Sequence, residues 1–355
     1  MDKQRVLLNK TLVIGIILLF TFMSITPSIA VDNVKKSSTP VSDGNTLYVG
    51  GSGEGNYSKI QDAIDNATDG DTVFVYDDSS PYYEENIQVS KSINLIGEDK
   101  ETTIIEGGGF EIIVIITVDN VAISGFTIQK SGAGPIEWPK AGIYNQGADN
   151  TRIYDNIIQN NRGEGICICS SQNCIVENNL IRGNGFRGLL IFKGAHNTLI
   201  THNTIRNNSK SGILGVGLNN LTVIENNILF NDEENSPGQI YGVEFISTYK
   251  SNINRNNFYG NRGDASFTYY GYTGAMEPIF YWFEFLKEKW KGISLKFNAN
   301  YWNTGRIFPF ELYNGWITIE GPFTWMWDEF RYSKYDWHPA KRPYKIAGWD
   351  IANIP

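Results

Sequence analysis

Between Thr151 and Asn261 the chain repeats one short phrase, Asn-x-(large apolar)-x-x-Asn/Asp. It stands at Asn156/Ile158/Asn161, Asn179/Ile181/Asn184, Asn203/Ile205/Asn208, Asn227/Leu229/Asp232 and Asn256/Phe258/Asn261. The starts lie 23, 24, 24 and 29 residues apart. A glycine followed by an apolar residue recurs in the same rhythm, at Gly142-Ile143, Gly165-Ile166, Gly188-Leu189, Gly212-Ile213 and Gly242-Val243. A fixed period of this length, holding short β-rich bursts such as Arg152 to Asn156 and Ile166 to Ser170 between turn residues, predicts a stacked solenoid. Leucine-rich repeats have similar periods but need several leucines at fixed offsets, and that spacing is absent. Coils stacked at about 4.8 Å bring like residues into columns. Inward asparagines at Asn156, Asn179, Asn203, Asn227 and Asn256 are then expected to form a hydrogen-bonded ladder.

The repeat resembles that of the right-handed parallel β-helix, pectate-lyase-like superfamily, and is most similar to the NosD-like group of secreted prokaryotic proteins. The resemblance covers residues 45 to 265 and includes the segment Glu85 to Gly97 (ENIQVSKSINLIG). It implies an all-β right-handed parallel β-helix, a solenoid with an N-terminal capping helix and an aromatic-rich C-terminal cap containing a helix. For function it implies little, since the fold carries lyases, hydrolases, epimerases, adhesins and binding proteins.

Residues 1–30 read as a secretory signal: Lys3, Arg5 and Lys10, an apolar run from Leu12 to Met23, then Ser28-Ile29-Ala30 with cleavage after Ala30. An uncleaved anchor is the alternative. Cleavage would change the formal charge from -8 to -10, because three Lys/Arg and one Asp leave with the leader. So acidic a chain gives no sign of a nucleic-acid partner. Residues 31–45 suit a flexible lead-in, 46–265 the β-helix domain, and 266–355 a C-terminal cap packed on it. Within Tyr57 to Asp71, Ile60, Ala63, Ile64 and Ala67 share one helical face, which predicts a capping helix. Glu277 to Lys291 predicts a second helix, and 266–337 hold seven of the nine tryptophans.

In the strand before each Asn the outward column is read as Tyr154, Glu177, Thr201, Glu225 and Asn254. Glu177 and Glu225 would lie two coils apart, about 9 to 10 Å, near the upper limit for an inverting carboxylate pair. Three residues after the Asn the column is read as Gln159, Arg182, Arg206, Phe230 and Tyr259, offering two cations to a uronate. Glu177, Glu225, Arg182 and Arg206 are thus the catalytic candidates, against the ordinary reading of a solvated face. The clustered acids and calcium-binding Asp groups of related lyases and hydrolases are not found on adjacent coils. Trp138, Tyr259, Tyr269, Tyr270 and Tyr272 are candidates for stacking on sugars, with core or cap packing the alternative.

Cys169 and Cys174 are within reach of a disulfide in an oxidising setting, leaving Cys167 odd. No cofactor is expected on the residues alone. The NosD-like resemblance implies copper as an alternative, with Cys167, Cys169 and Cys174 as ligands. The outward column Tyr144, Cys167, Leu190, Leu214 and Glu244, with Phe192 beside it, is too apolar to face water. The C-terminal segment or a partner chain on Leu190, Phe192 and Leu214 is expected to cover it. Three functions follow: a secreted or cell-surface module that binds a polysaccharide or glycoconjugate without turnover; a lyase, hydrolase or epimerase of acidic glycans; and a NosD-like periplasmic copper-binding or accessory protein. The first leads, because a long regular face is present and a defined acid-base cluster is not.

Overall fold

In a computed structural model the chain winds as a right-handed parallel β-helix. The structure describes residues 44–84, 86–134, 140–231, 241–246, 248, 250–261, 265–272, 295–298, 301–302, 310–320 and 328–336. From 266 onward only the backbone path of the strands is described. The leader expected at 1–30, the loop expected at Trp138 and the helix expected at 277–291 lie outside these residues.

Each coil lays down three short strands, and like strands stack into three sheets. One coil runs Arg152–Tyr154 (β11), Ile157–Gln159 (β12) and Glu164–Cys169 (β13). The next runs Ile175–Glu177 (β14), Leu180–Arg182 (β15) and Leu189–Phe192 (β16). These pair in parallel and in register, β11 with β14, β12 with β15 and β13 with β16. The first strand of each coil makes the first sheet, the second the second and the third the third. Among the described residues the sheets hold ten, nine and ten strands respectively.

Alternation decides what enters the core, since successive side chains in a strand point to opposite faces. In the second sheet Ile105, Ile128, Ile158, Ile181, Ile205, Ile228 and Phe258 stack inward, all fully buried. Each such side chain contributes roughly 1.5–3 kcal/mol of burial. The recurring glycine has a steric cause. A Cβ on Gly188 would lie 2.6 Å from Ile205 Cγ2 and 2.7 Å from the Gly212 carbonyl oxygen, so the backbone must pass there without a side chain.

Two asparagine ladders close the turns on either side of the second sheet. In one, the Asn156 backbone N–H donates to Asn179 Oδ1, Asn179 to Asn203, Asn203 to Asn226 and Asn226 to Asn256, at 2.9–3.0 Å. The fourth rung is Asn226, so the expectation of Asn227 there is corrected. Asn227 starts strand Asn227–Leu229 (β21), and its side chain is held by Thr204 and Asn257 on the sheet's outer side. The other ladder runs Asn161, Asn184, Asn208, Asn231 and Asn261. Each rung carries its own partners: Asn179 Nδ2 also donates to the carbonyls of Ile153 and Glu177. The turns thereby satisfy backbone groups that would otherwise be buried unpaired.

At the N-terminal end, helix α1 (Ile60–Asn66) turns Ile60, Ala63 and Ile64 into the core. It packs beside strands Thr46–Val49 (β1), Thr72–Val75 (β2) and Ile87–Val89 (β4). Glu84 accepts from the Ile60 and Gln61 backbone N–H groups at 2.9 and 3.2 Å, placing a carboxylate at the positive helix end. At the other end parallel pairing continues past residue 265. Leu295–Asn298 (β26) adds to the first sheet and Tyr301–Trp302 (β27) to the second. Ala265–Tyr272 (β25) and Phe310–Glu320 (β28) extend the third sheet, and Asp328–Asp336 (β29) pairs antiparallel with β28.

Candidate functional site

The register of the second sheet brings eight outward residues into one column. From the N-terminal end they are Tyr83, Glu106, Gln129, Gln159, Arg182, Arg206, Leu229 and Tyr259, each paired with the next across a parallel rung. At about 4.8 Å per rung the column runs for some 34 Å. Four of its polar members, Glu106 to Arg182, are joined end to end. Gln129 Nε2 donates to Glu106 Oε2 at 2.7 Å, Gln159 Nε2 to Gln129 Oε1 at 3.0 Å, and Arg182 Nε to Gln159 Oε1 at 2.9 Å. Lys130 forms an ion pair with Glu106 at 2.6 Å, and its hydrogen bond holds that carboxyl below its ordinary pKa.

Arg182 and Arg206 stand on neighbouring rungs, both half-buried. Among the described residues neither pairs with a carboxylate. Two like charges about 5 Å apart repel by roughly 1 kcal/mol in water-like surroundings, and more at lower dielectric. An anion bridging them reverses that sign. The arrangement is therefore suited to holding a carboxylate, with neutral amides on one side and Tyr83 and Tyr259 as the outermost described members of the column. The sequence exposed Gln159, Arg182 and Arg206 as neighbours, whereas Tyr83, Glu106 and Gln129 were missed. Their signal is the equivalence of Thr127-Ile128-Gln129 with Ile157-Ile158-Gln159, visible once Ile128 is aligned with Ile158.

The candidate carboxylates do not share a column. Tyr154, Glu177, Thr201, Ile224 and Asn254 make the outward column of the first sheet. Glu225 lies one residue further, in a turn with φ 57°, because the repeat in this coil starts at Asn226. The same one-residue shift moves Phe230 out of the Arg182 column and puts Leu229 there. Both acids are neutralised locally. Glu177 pairs with Arg152, whose guanidinium also lies 4.1 Å from the centre of the Tyr154 ring. Glu225 pairs with Arg255 and lies 3.0 Å from His202 Nε2.

The cysteines are also separated by strand alternation. Cys167 and Cys169 face outward from β13, in a buried cluster with Leu190, Phe192 and Leu214. Cys174 instead belongs to the inner core, where Asn145 Nδ2 donates to its sulfur at 3.4 Å. All three are free thiols, which corrects the Cys169–Cys174 disulfide: the two residues lie on opposite faces of the coil wall. For the same reason the three thiols do not converge as a ligand set. Among the described residues no cluster of three or more His, Cys, Asp or Glu is placed to hold a metal. Burial pushes the Cys174 thiol up to about 12 and Cys167 well above its ordinary value.

The outward apolar column is shielded: Leu190 is fully buried, and Leu214 and Phe192 nearly so. Among the stacking candidates, Tyr259 is the last described member of the second-sheet column and meets Phe230 edge to face at 5.4 Å. Tyr269, Tyr270 and Tyr272 lie on β25, where only the backbone is described. Trp138 lies outside the described residues.

Similar folds occur among solved structures. A pectate lyase is 13% identical, with a TM-score of 0.51, over 75% of this chain and 78% of its own. An alginate lyase from Paenibacillus is 15% identical over 66% of this chain and 89% of its own, with a TM-score of 0.47. A pectin methylesterase is 12% identical over 75% of this chain and 81% of its own, with a TM-score of 0.41. No curated protein matches the chain. The family described as right handed beta helix region matches residues 45–228 and 111–277, more than half of the sequence. With parallel pairing in three sheets and a core filled column by column, the chain belongs to the right-handed β-helix family.

Proposed function

We propose that this protein is an exported module that binds an acidic polysaccharide along the second sheet and releases it unchanged. The observation that carries this reading is the Arg182–Arg206 pair, two stacked cations that pair with no carboxylate among the described residues, set in a long column of amide and aromatic side chains. A linear polymer aligned with the column would meet both guanidinium groups, and Arg binds a carboxylate through paired N–H donors. Absence of turnover is favoured by the state of the two candidate acids. Glu177 and Glu225 are each tied to an arginine and stand in different columns, so neither is placed as a general acid opposite a base. Export follows from the character of residues 1–30. A pectate lyase among the similar structures is a further reason to begin with uronate polymers.

The test is an array of polygalacturonate, alginate and neutral glucans, reading both retention of the protein and new reducing or unsaturated ends. Retention on the acidic polymers without new ends is expected. New ends that vanish in Glu177→Gln would replace binding with catalysis.

A further inference from the structure

Phe230 occupies a place that its backbone disfavours. In the second sheet, the turn that follows each strand from Thr127–Gln129 to Asn257–Tyr259 contains one left-handed residue, and those residues are Lys130, Asn160, Gly183, Asn207, Phe230 and Gly260, with φ between 49° and 66°. Glycine and asparagine enter this region at little cost, but a bulky aromatic side chain there is an outlier. The next coil makes room for the ring. A Cβ on Gly260 would lie 2.2 Å from Phe230 Cδ1, so the ring rests over a backbone that has no side chain. Beside it stands Tyr259, with ring centroids 5.4 Å apart and planes at 74°. The result is a half-exposed aromatic corner. It lies beside the same column as Arg206, because Arg206 pairs with Leu229 and Leu229 with Tyr259.

We infer that Phe230 and Tyr259 form the stacking subsite for the sugar ring next to the one whose carboxylate rests on Arg206 and Arg182. This rests on the binding reading above and adds orientation to it: the charged edge of the bound chain faces the arginines and an apolar ring face lies on the aromatic corner. Strained backbone that persists beside a charged strip is characteristic of a binding site, and an aromatic face paired with a polar edge is what a pyranose presents. Packing alone does not require the ring, since Asn160 and Asn207 fill the equivalent place in other coils.

The experiment titrates the full chain with a galacturonate hexamer by calorimetry, in parallel with thermal melts. Phe230→Asn, which installs the residue used by the sibling coils, is expected to melt at or above the wild-type temperature and to bind at least tenfold more weakly. Phe230→Tyr, which keeps the ring, is expected to bind like wild type. If Phe230→Asn binds as wild type while Arg206→Ala loses affinity, the stacking subsite is overturned and the binding strip stands. If Phe230→Tyr also loses tenfold, the ring serves packing and the inference fails. Should wild type not bind the hexamer, both the strip and its subsite fall.

Discussion

Each ladder asparagine acts on three coils at once. Asn226 accepts from the Asn203 backbone and side chain, and donates to the carbonyls of Ile200 and Ile224 and to Asn256 Oδ1. Truncation strands several buried groups, each costing roughly 1–3 kcal/mol. Asn226→Ala should therefore lower stability by about 3–5 kcal/mol, and Asn227→Ala, which removes its hydrogen bonds with Thr204 Oγ1 and Asn257 Nδ2, by about 1–2 kcal/mol. Urea denaturation of the two variants checks the register, and a larger loss at Asn227 would contradict it. Asp71 has a comparable role at the first coil. It accepts from the backbone of Thr68 and Asn45 and from the Thr68 hydroxyl. The Thr68 backbone hydrogen bond, more than any other contact, holds its carboxyl below 3.8, against the opposing effect of burial. A depressed carboxyl contributes stability above its unfolded pKa and loses it as the pH falls through the folded one. Asp71→Asn should thus melt below wild type at neutral pH, and the gap should narrow as the pH drops below 3.8. A gap that stays constant with pH would count against this role.

At the scale of the strand, alternation explains both what was legible and what was not. Inward isoleucines and the glycine step could be read directly, because burial and close backbone approach permit few residues. The coil from Thr222 to Asn231 was misread by one residue, since Asn226 and Asn227 are adjacent and either satisfies an Asn repeat. Only Ile228, aligned with Ile205 and Phe258, decides between them. That slip carried Glu225 and Phe230 into columns they do not occupy, because a shift of one residue reverses every side chain in a strand. The disulfide fails for a related reason: closeness in sequence between Cys169 and Cys174 says nothing about the turn that sends them to opposite faces. The consequence is measurable. No thiol should react with an aromatic disulfide reagent in the native protein, and all three should react after unfolding without reductant. A single reactive thiol in the unfolded protein would restore the disulfide.

For the molecule as a whole, the solenoid converts one local choice of residue into a surface tens of ångströms long. The choice matters more here than in a globular domain, because register repeats it at every rung. The chain carries a formal charge of -8, so an acidic polymer is repelled at long range and must be held by a local concentration of positive charge. Arg182 and Arg206 supply it, while Glu106 is masked by Lys130 lower in the column. The parallel β-helix was legible because the period was. The proposed binding strip was legible only in its middle, since its lower end depends on strands whose asparagine signal is absent, Tyr82–Tyr83 and Ile104–Glu106. The most direct measurement is a titration of the full chain with oligogalacturonate at low and high salt, for wild type and the Arg182→Ala, Arg206→Ala double variant. The account predicts wild-type binding that weakens with salt, a loss of at least about tenfold, or ~1.4 kcal/mol, in the double variant at unchanged melting temperature, and an oligosaccharide recovered intact. Equal binding by the double variant, or a shortened oligosaccharide, would contradict it.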